Sequence, residues 1–150
     1  MIDIALYQPD IPQNTAAIVR LAACMQLKVH IIEPCGFNLN DSRFKRVTMD
    51  YIEITKIIKY LDFEDFKKKN IDKRIILMTT KSNIFYHKFK FKKDDILLLG
   101  RESAGVPTKI HNEVKNRLKV PLSGNARSLN IAMTAAIVAS EALRQNNYFK

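Results

Sequence analysis

Cysteine is scarce in this chain. Cys24 and Cys35 are the only two, and they form no Cys-x-x-Cys pair. The three histidines, His30, His87 and His111, are scattered, so neither a zinc spacing nor a disulfide framework is available. No metal is therefore expected. Glycine is limited to four residues, none in a Gly-x-Gly-x-x-Gly fingerprint, which counts against a Rossmann-type nucleotide site. No apolar run is long enough to span a bilayer; the longest apolar-rich stretch covers residues 131–139. The opening "MIDIALYQPD" carries an acidic residue and a short apolar run, and reads as a strand rather than a signal peptide. Repeats, low-complexity tracts and linkers are also missing. The expectation left standing is one reduced, cytoplasmic domain covering residues 1–150, without a membrane segment.

Acidic residues are in deficit as well. Fifteen Asp and Glu stand against 25 Lys and Arg, a formal net charge of +10. Such a surplus points to a polyanionic partner, nucleic acid first, or equally to lysine-rich solvated faces. A hydrophobic content of 47% with 27% charged residues is that of a globular chain. Short apolar runs at residues 2–7, 28–33, 74–80, 95–100 and 117–122 read as strands. Helical segments are expected at about 14–26, 62–70 and 128–144, with a short turn near 107–113. This alternation predicts an α/β fold with a mostly parallel sheet flanked by helices. Ligands of such sheets collect beyond the C-terminal ends of the strands. The segments in that position are "QPDIPQN", "PCGF", "TKSN", "GRESAGVP" and "LSGNARS".

Two helices do not read as ordinary surface helices. In "NTAAIVRLAACMQ", Ile18, Leu21, Ala22 and Met25 form a core stripe. Arg20 points away from that stripe, among Ala16, Ala17, Ala23 and Cys24. Small residues around one arginine predict a close-packed neighbour with Arg20 in the join; a surface arginine on an alanine-rich helix is the alternative. In the last helix Ser128 is the expected N-cap. Ala132, Ala136, Ala139 and Leu143 make one stripe, and Ile131, Met133, Ile137 and Val138 lie opposite. A helix apolar on all sides needs two covers, the sheet and a second subunit, so a homodimer is expected.

Three motifs carry a family resemblance. "NTAAIVRLA", "LLLGRESAGVP" and "VPLSGNARSLNIAMTAAIVASEA" resemble the three ordered motifs of the SpoU branch of the SPOUT methyltransferases. The intervening "LYQPDIPQNT", "HIIEPCGF", "DSRFKR", "DY" and "TTK" resemble the group that methylates the wobble ribose of tRNA. The likeness runs from about residue 3 to 144. It implies a C-terminal deep trefoil knot, which periodicity cannot reveal, and a homodimer packed through the first and last helices. It implies S-adenosylmethionine as cofactor, held at Met78, Gly100, Val120 and Ser128 with Leu129 adjacent. It further implies that Arg20 contacts the 2′-hydroxyl, with Asn14 and Asn130 organising that corner; each asparagine reads equally as a helix-start residue. Glu102 is expected to bond amides of the knot loop or to hold a partner arginine.

The implied activity is 2′-O-methylation of a tRNA wobble nucleotide. Transfer to another tRNA or rRNA ribose is the alternative within the class, and a catalytically idle, knotted RNA-binding dimer the alternative outside it. A third reading is a basic α/β domain whose ligand is a nucleotide metabolite. The wobble group reads "GPETRGLP" where this chain has "GRESAGVP", so Arg101 replaces a proline and Ala104 an arginine. Arg101 is expected to supply the missing charge. Basic candidates for RNA contact are Arg43, Lys45, Arg46 and Arg127. With no appended RNA-binding segment in these residues, a compact anticodon stem-loop is the favoured target. "HKFKFKK" at 87–93 is expected as an edge strand guarded by lysines.

Overall fold

The computed structural model describes residues 1–48 and 50–148. Six strands form one sheet: β1 (Asp3–Tyr7), β2 (Val29–Ile32), β3 (Ile57–Tyr60), β4 (Ile75–Met78), β5 (Ile96–Leu99) and β6 (Asn116–Leu118). Their spatial order is β3-β2-β1-β5-β4-β6, and every pairing is parallel. In the central pair Ile4 lies opposite Leu97 and Leu6 opposite Leu99.

Continuous apolar strands are what a sheet covered on both faces requires. Alternate residues divide between two cores. Ile4, Leu6, Val29, Ile31, Leu97 and Leu99 face one side, and Ala5, Tyr7, Ile32, Ile96 and Leu98 the other. The first face is covered by α1 (Pro12–Met25), α2 (Ser42–Thr48) and α6 (Ile131–Gln145). The second carries α4 (Phe63–Lys69) and α5 (Thr108–Glu113). The one-turn α3 (Tyr51–Ile54) packs against α1. Among the described residues no helix is long and apolar enough to cross a membrane.

Four expectations need correction. β3 and the short helices α2 and α3 were not anticipated: β3 is a four-residue edge strand with Lys59 exposed, so it lacks the continuous apolar run of the inner strands. β6 ends at Leu118 rather than running to residue 122, because the chain turns out at Lys119 to bridge Phe85. Residues 87–93 are not a strand. Tyr86–Lys88 is a 3-10 turn, and the chain beyond it is clamped to the end of α6 by Gln145. The Phe91 amide donates to Gln145 Oε1 at 2.9 Å, and Gln145 Nε2 donates to the Phe89 carbonyl at 3.0 Å. Phe91 is buried and Phe89 packs on the first core while Lys88, Lys90 and Lys92 stay exposed. The alternation therefore marks one buried side of an irregular segment.

The fourth correction concerns the start of α6. Its N-cap is Asn130, not Ser128: Asn130 Oδ1 accepts from the amides of Ala132 at 2.8 Å and Met133 at 3.3 Å. Ser128 lies two residues upstream in an exposed loop. The buried face of α6 is Ala132, Ala135, Val138, Ala139, Ala142 and Leu143, so Val138 belongs to the core. Met133 and Ile137 face outward, 58% and 38% exposed.

The second core centres on Phe66, whose ring is fully buried against His30, Tyr60 and Phe63. Phe66→Ala is expected to lower the unfolding free energy by about 3–5 kcal/mol in urea titration; a loss under ~1 kcal/mol contradicts this packing.

Candidate active site

The strand order changes direction at β1. The chain passes outward through β2 and β3, and β5, β4 and β6 fill the opposite side. Loops leaving neighbouring strands diverge at such a switch point and open a crevice. A cavity of about 450 Å³ lies there. Its walls are residues 78–81 after β4, 100–102 and 104–106 after β5, 119–120 after β6 and 128–131 at the start of α6, with Asn14 of α1 at one side. That volume is in the usual range for small-molecule sites, ~300–1,000 Å³.

The loop after β5 is closed on itself. The Arg101 amide donates to the Gly105 carbonyl at 2.9 Å, and the Gly105 amide donates back to the Arg101 carbonyl at 2.8 Å. A Cβ at Gly100 would stand 2.6 Å from the carbonyl carbon of Gly105, so any side chain at this position forces the loop open. Gly105 itself has φ +66°, a conformation that glycine adopts without strain.

Two carboxylates fasten this loop to the start of α1. Asp10 accepts from Arg101 Nη2 at 2.6 Å, Arg101 Nε at 3.1 Å and Ser103 Oγ at 2.6 Å. These bonds, that from Arg101 foremost, hold the Asp10 carboxyl down at about 2. Arg101 is thus engaged within the chain, which corrects the expectation that it replaces a missing RNA-facing charge.

Glu102 accepts from the amides of Asp10 at 2.8 Å and Ile11 at 3.3 Å, and from Asn14 Nδ2 at 3.4 Å. The N-cap of α1 is Ile11, which has no side chain able to cap, so a carboxylate from a distant loop meets the amides at that entry. Glu102 therefore bonds amides of the β1–α1 loop, not of the loop preceding α6. Asn14 Oδ1 in turn accepts from Asn130 Nδ2 at 3.0 Å. One chain of hydrogen bonds runs from Glu102 through Asn14 and Asn130 to the first amides of α6.

Asn14, Met78, Gly100, Val120, Ser128, Leu129 and Asn130 all line the cavity. Arg20 does not. It lies on the exposed side of α1, its guanidinium 4.9 Å from the centre of the Tyr51 ring, with exposed Ala17 and Cys24 nearby on the helix. Arg43 borders a separate cavity, and Arg46 and Arg127 are exposed outside both.

Sequence reasoning missed Lys81, Lys119, Thr134 and His111, which also line the main cavity. His111 has a buried Nε2 without a partner among the described residues, and Arg117 Nη1 donates to its carbonyl at 2.8 Å. As a lone histidine in a short helix, His111 carries no sequence signal. Among the described residues no cluster of His, Cys, Asp and Glu is placed to hold a metal.

Residues 1–140 match the family model described as the SpoU rRNA Methylase family. The chain is 46% identical over 144 residues to the tRNA (cytidine(34)-2′-O)-methyltransferase of Beijerinckia indica, covering 95% of this chain and 90% of the relative. It is 41% identical over 148 residues to the enzyme of the same name from Ancylobacter novellus, covering 97% and 94%. A solved structure described as "Structural insights into the 2-OH methylation of C/U34 on tRNA" superposes with a TM-score of 0.94 at 32% identity, over 99% of this chain and 97% of that one.

The depressed Asp10 carboxyl makes the loop fastening acid-sensitive. A group held near about 2 in the fold and near ~3.9 when unfolded contributes stability above that upper value and loses it as pH falls toward the lower one. Asp10→Asn is therefore expected to melt below wild type near neutral pH, with the gap closing between about pH 4 and pH 2. Thermal melts across that range check this, and a gap independent of pH contradicts it.

Proposed function

The chain belongs to the SpoU RNA methylase family, and from that premise we propose that it transfers a methyl group from S-adenosylmethionine to the ribose 2′-hydroxyl of a tRNA wobble nucleotide. One observation carries the reading: Met78 at the end of β4, Gly100, Val120, and the adjacent Ser128 and Leu129 wall a single cavity together with Asn14 and Asn130. The residues present suit that cofactor. Leu77, Leu99, Val106 and Leu122 offer apolar wall to a purine, and the exposed segment 128–130 in the wall offers main-chain amides and carbonyls. S-adenosylmethionine supplies a methyl group already activated by the sulfonium charge, so the protein's task is alignment and removal of a proton.

The chain's own residues divide that task. Asn14 is held on both sides, donating to Glu102 and accepting from Asn130, so its carboxamide keeps one orientation beside the cavity. Arg20 stays outside the cavity of its own chain. Small residues surround it on α1, and α6 leaves Met133 and Ile137 uncovered. A homodimer packed through α1 and α6 buries both surfaces and carries Arg20 of one copy toward the cavity of the other. A guanidinium is a poor proton acceptor, so the role of Arg20 is to orient the hydroxyl and stabilise the developing alkoxide while the hydroxyl proton leaves to solvent water. Arg43, Arg46 and Arg127 serve as phosphate contacts that position RNA without reading its sequence. The same reading makes residues 1–150 one domain, its C-terminal segment threaded into a deep trefoil knot, working in the cytoplasm.

Labelled S-adenosylmethionine and tRNA from cells lacking the gene test the reading. Methyl transfer to the wobble ribose is expected, reduced about 10²-fold or more in Arg20→Ala and not restored by Arg20→Lys. Transfer to rRNA alone overturns the target. Near-normal activity of Arg20→Lys overturns the requirement for a planar guanidinium.

A further inference from the structure

A second cavity, of about 260 Å³, lies on the other side of the first turn of α1. Its floor is aromatic: half-buried Phe37 lies 5.3 Å from the ring of Phe44 at an interplanar angle of 39°, and Phe44, 3% exposed, belongs to the first core behind it. The exposed Gln13, Asn38 and Arg43 add polar groups to its lining. Asn38 Oδ1 is engaged by the Asn40 amide at 2.9 Å, while its Nδ2 and the Gln13 carboxamide have no hydrogen-bond partner among the described residues. Asp41 grips Arg43 through Nε at 3.3 Å and Nη2 at 3.1 Å, holding the guanidinium at the mouth although its side chain is 87% exposed. Val47, also in the wall, is 53% exposed.

The placement relative to the main cavity is decisive. Asn14 lines the first cavity and Gln13, the preceding residue, lines the second. Successive helical residues point ~100° apart, so the first turn of α1 is the partition between the two, a body about 10 Å across. For an RNA whose ribose sits at the first cavity, the second lies within reach of a neighbouring nucleotide. An aromatic floor with amide donors and acceptors in the lining matches a planar base with a hydrogen-bonding edge. Exposed Lys45 and Arg46 on α2, with Arg43, match the phosphates beside it.

Resting on the methyltransferase reading above, we propose that this cavity is a nucleobase pocket. It takes the base of a nucleotide next to the methylated one, stacked on half-buried Phe37 with the buried Phe44 ring behind it, with Gln13 and Asn38 on the base edge and Arg43 at a phosphate. The pocket supplies part of the substrate discrimination that the phosphate contacts cannot.

The test measures binding of a labelled anticodon stem-loop RNA, by fluorescence anisotropy, with each loop nucleotide made abasic in turn. Wild type and Val47→Glu are compared, since that exposed position puts a carboxylate at the mouth without touching the core; Phe37→Ala is the second variant. One abasic position is expected to weaken binding to wild type about tenfold, and that penalty is expected to vanish in both variants. A penalty retained in Val47→Glu, equal penalties at every position, or no measurable binding overturns the pocket. Methyl transfer to the same RNAs is followed in parallel. Transfer without any base-specific penalty overturns the pocket alone, whereas a base-specific penalty without transfer overturns the methyltransferase reading and leaves the pocket standing.

Discussion

The carboxylate of Glu102 is the tie on which the site depends. It gathers the amides of Asp10 and Ile11, and through Asn14 it reaches Asn130, the cap of α6. Three loops far apart in sequence are thereby held at fixed separations around one cavity. A buried amide left without its partner costs about 1–3 kcal/mol, and less where water reaches it. The larger consequence of losing Glu102 is positional: α1 and α6 lose their common reference, and the carboxamide of Asn14 loses one of the two bonds that orient it. Asp10 and Arg101 reinforce the same junction from the neighbouring residue, and the tight approach of Gly100 to Gly105 keeps the loop closed.

That junction works because of where the sheet puts it. Parallel strands covered on both faces direct their C-terminal ends toward one edge, and the change of direction at β1 parts the loops there. The two cores make the sheet a rigid platform beneath the cavity. The first core also fixes α1 and α6 side by side, with Arg20 exposed on one helix and Met133 and Ile137 exposed on the other. Arg20 lies outside the cavity, and this is why a homodimer and a complete site are one proposal instead of two.

Much of this was legible in the residues, for identifiable reasons. The inner strands announce themselves as apolar runs because burial on both faces leaves no alternation to confuse, while β3 escaped notice because an edge strand with Lys59 needs no such run. Part of the cavity wall, Met78, Gly100, Val120, Ser128 and Leu129, was legible through the family motifs, although no pattern in the chain says that Asn14 and Asn130 touch. Ser128 and Asn130 are equally good caps by type. Only the structure shows the Asn130 carboxamide accepting from two amides through its oxygen while its amino group donates to Asn14. Arg101 reads in sequence as a charge free to face RNA, and its engagement by Asp10 depends on a fold that brings the loops after β1 and β5 together. In residues 87–93, half-buried Phe89 and buried Phe91 reproduce the alternation of a strand without its ladder.

Calorimetric titration with S-adenosylhomocysteine, comparing wild type with Glu102→Ala, tests the central claim most directly. The account predicts one saturable site per chain in wild type and at least about tenfold weaker binding in the variant, with unchanged circular dichroism. Equal affinity in the two proteins, with the fold intact, contradicts the claim that this carboxylate organises the site.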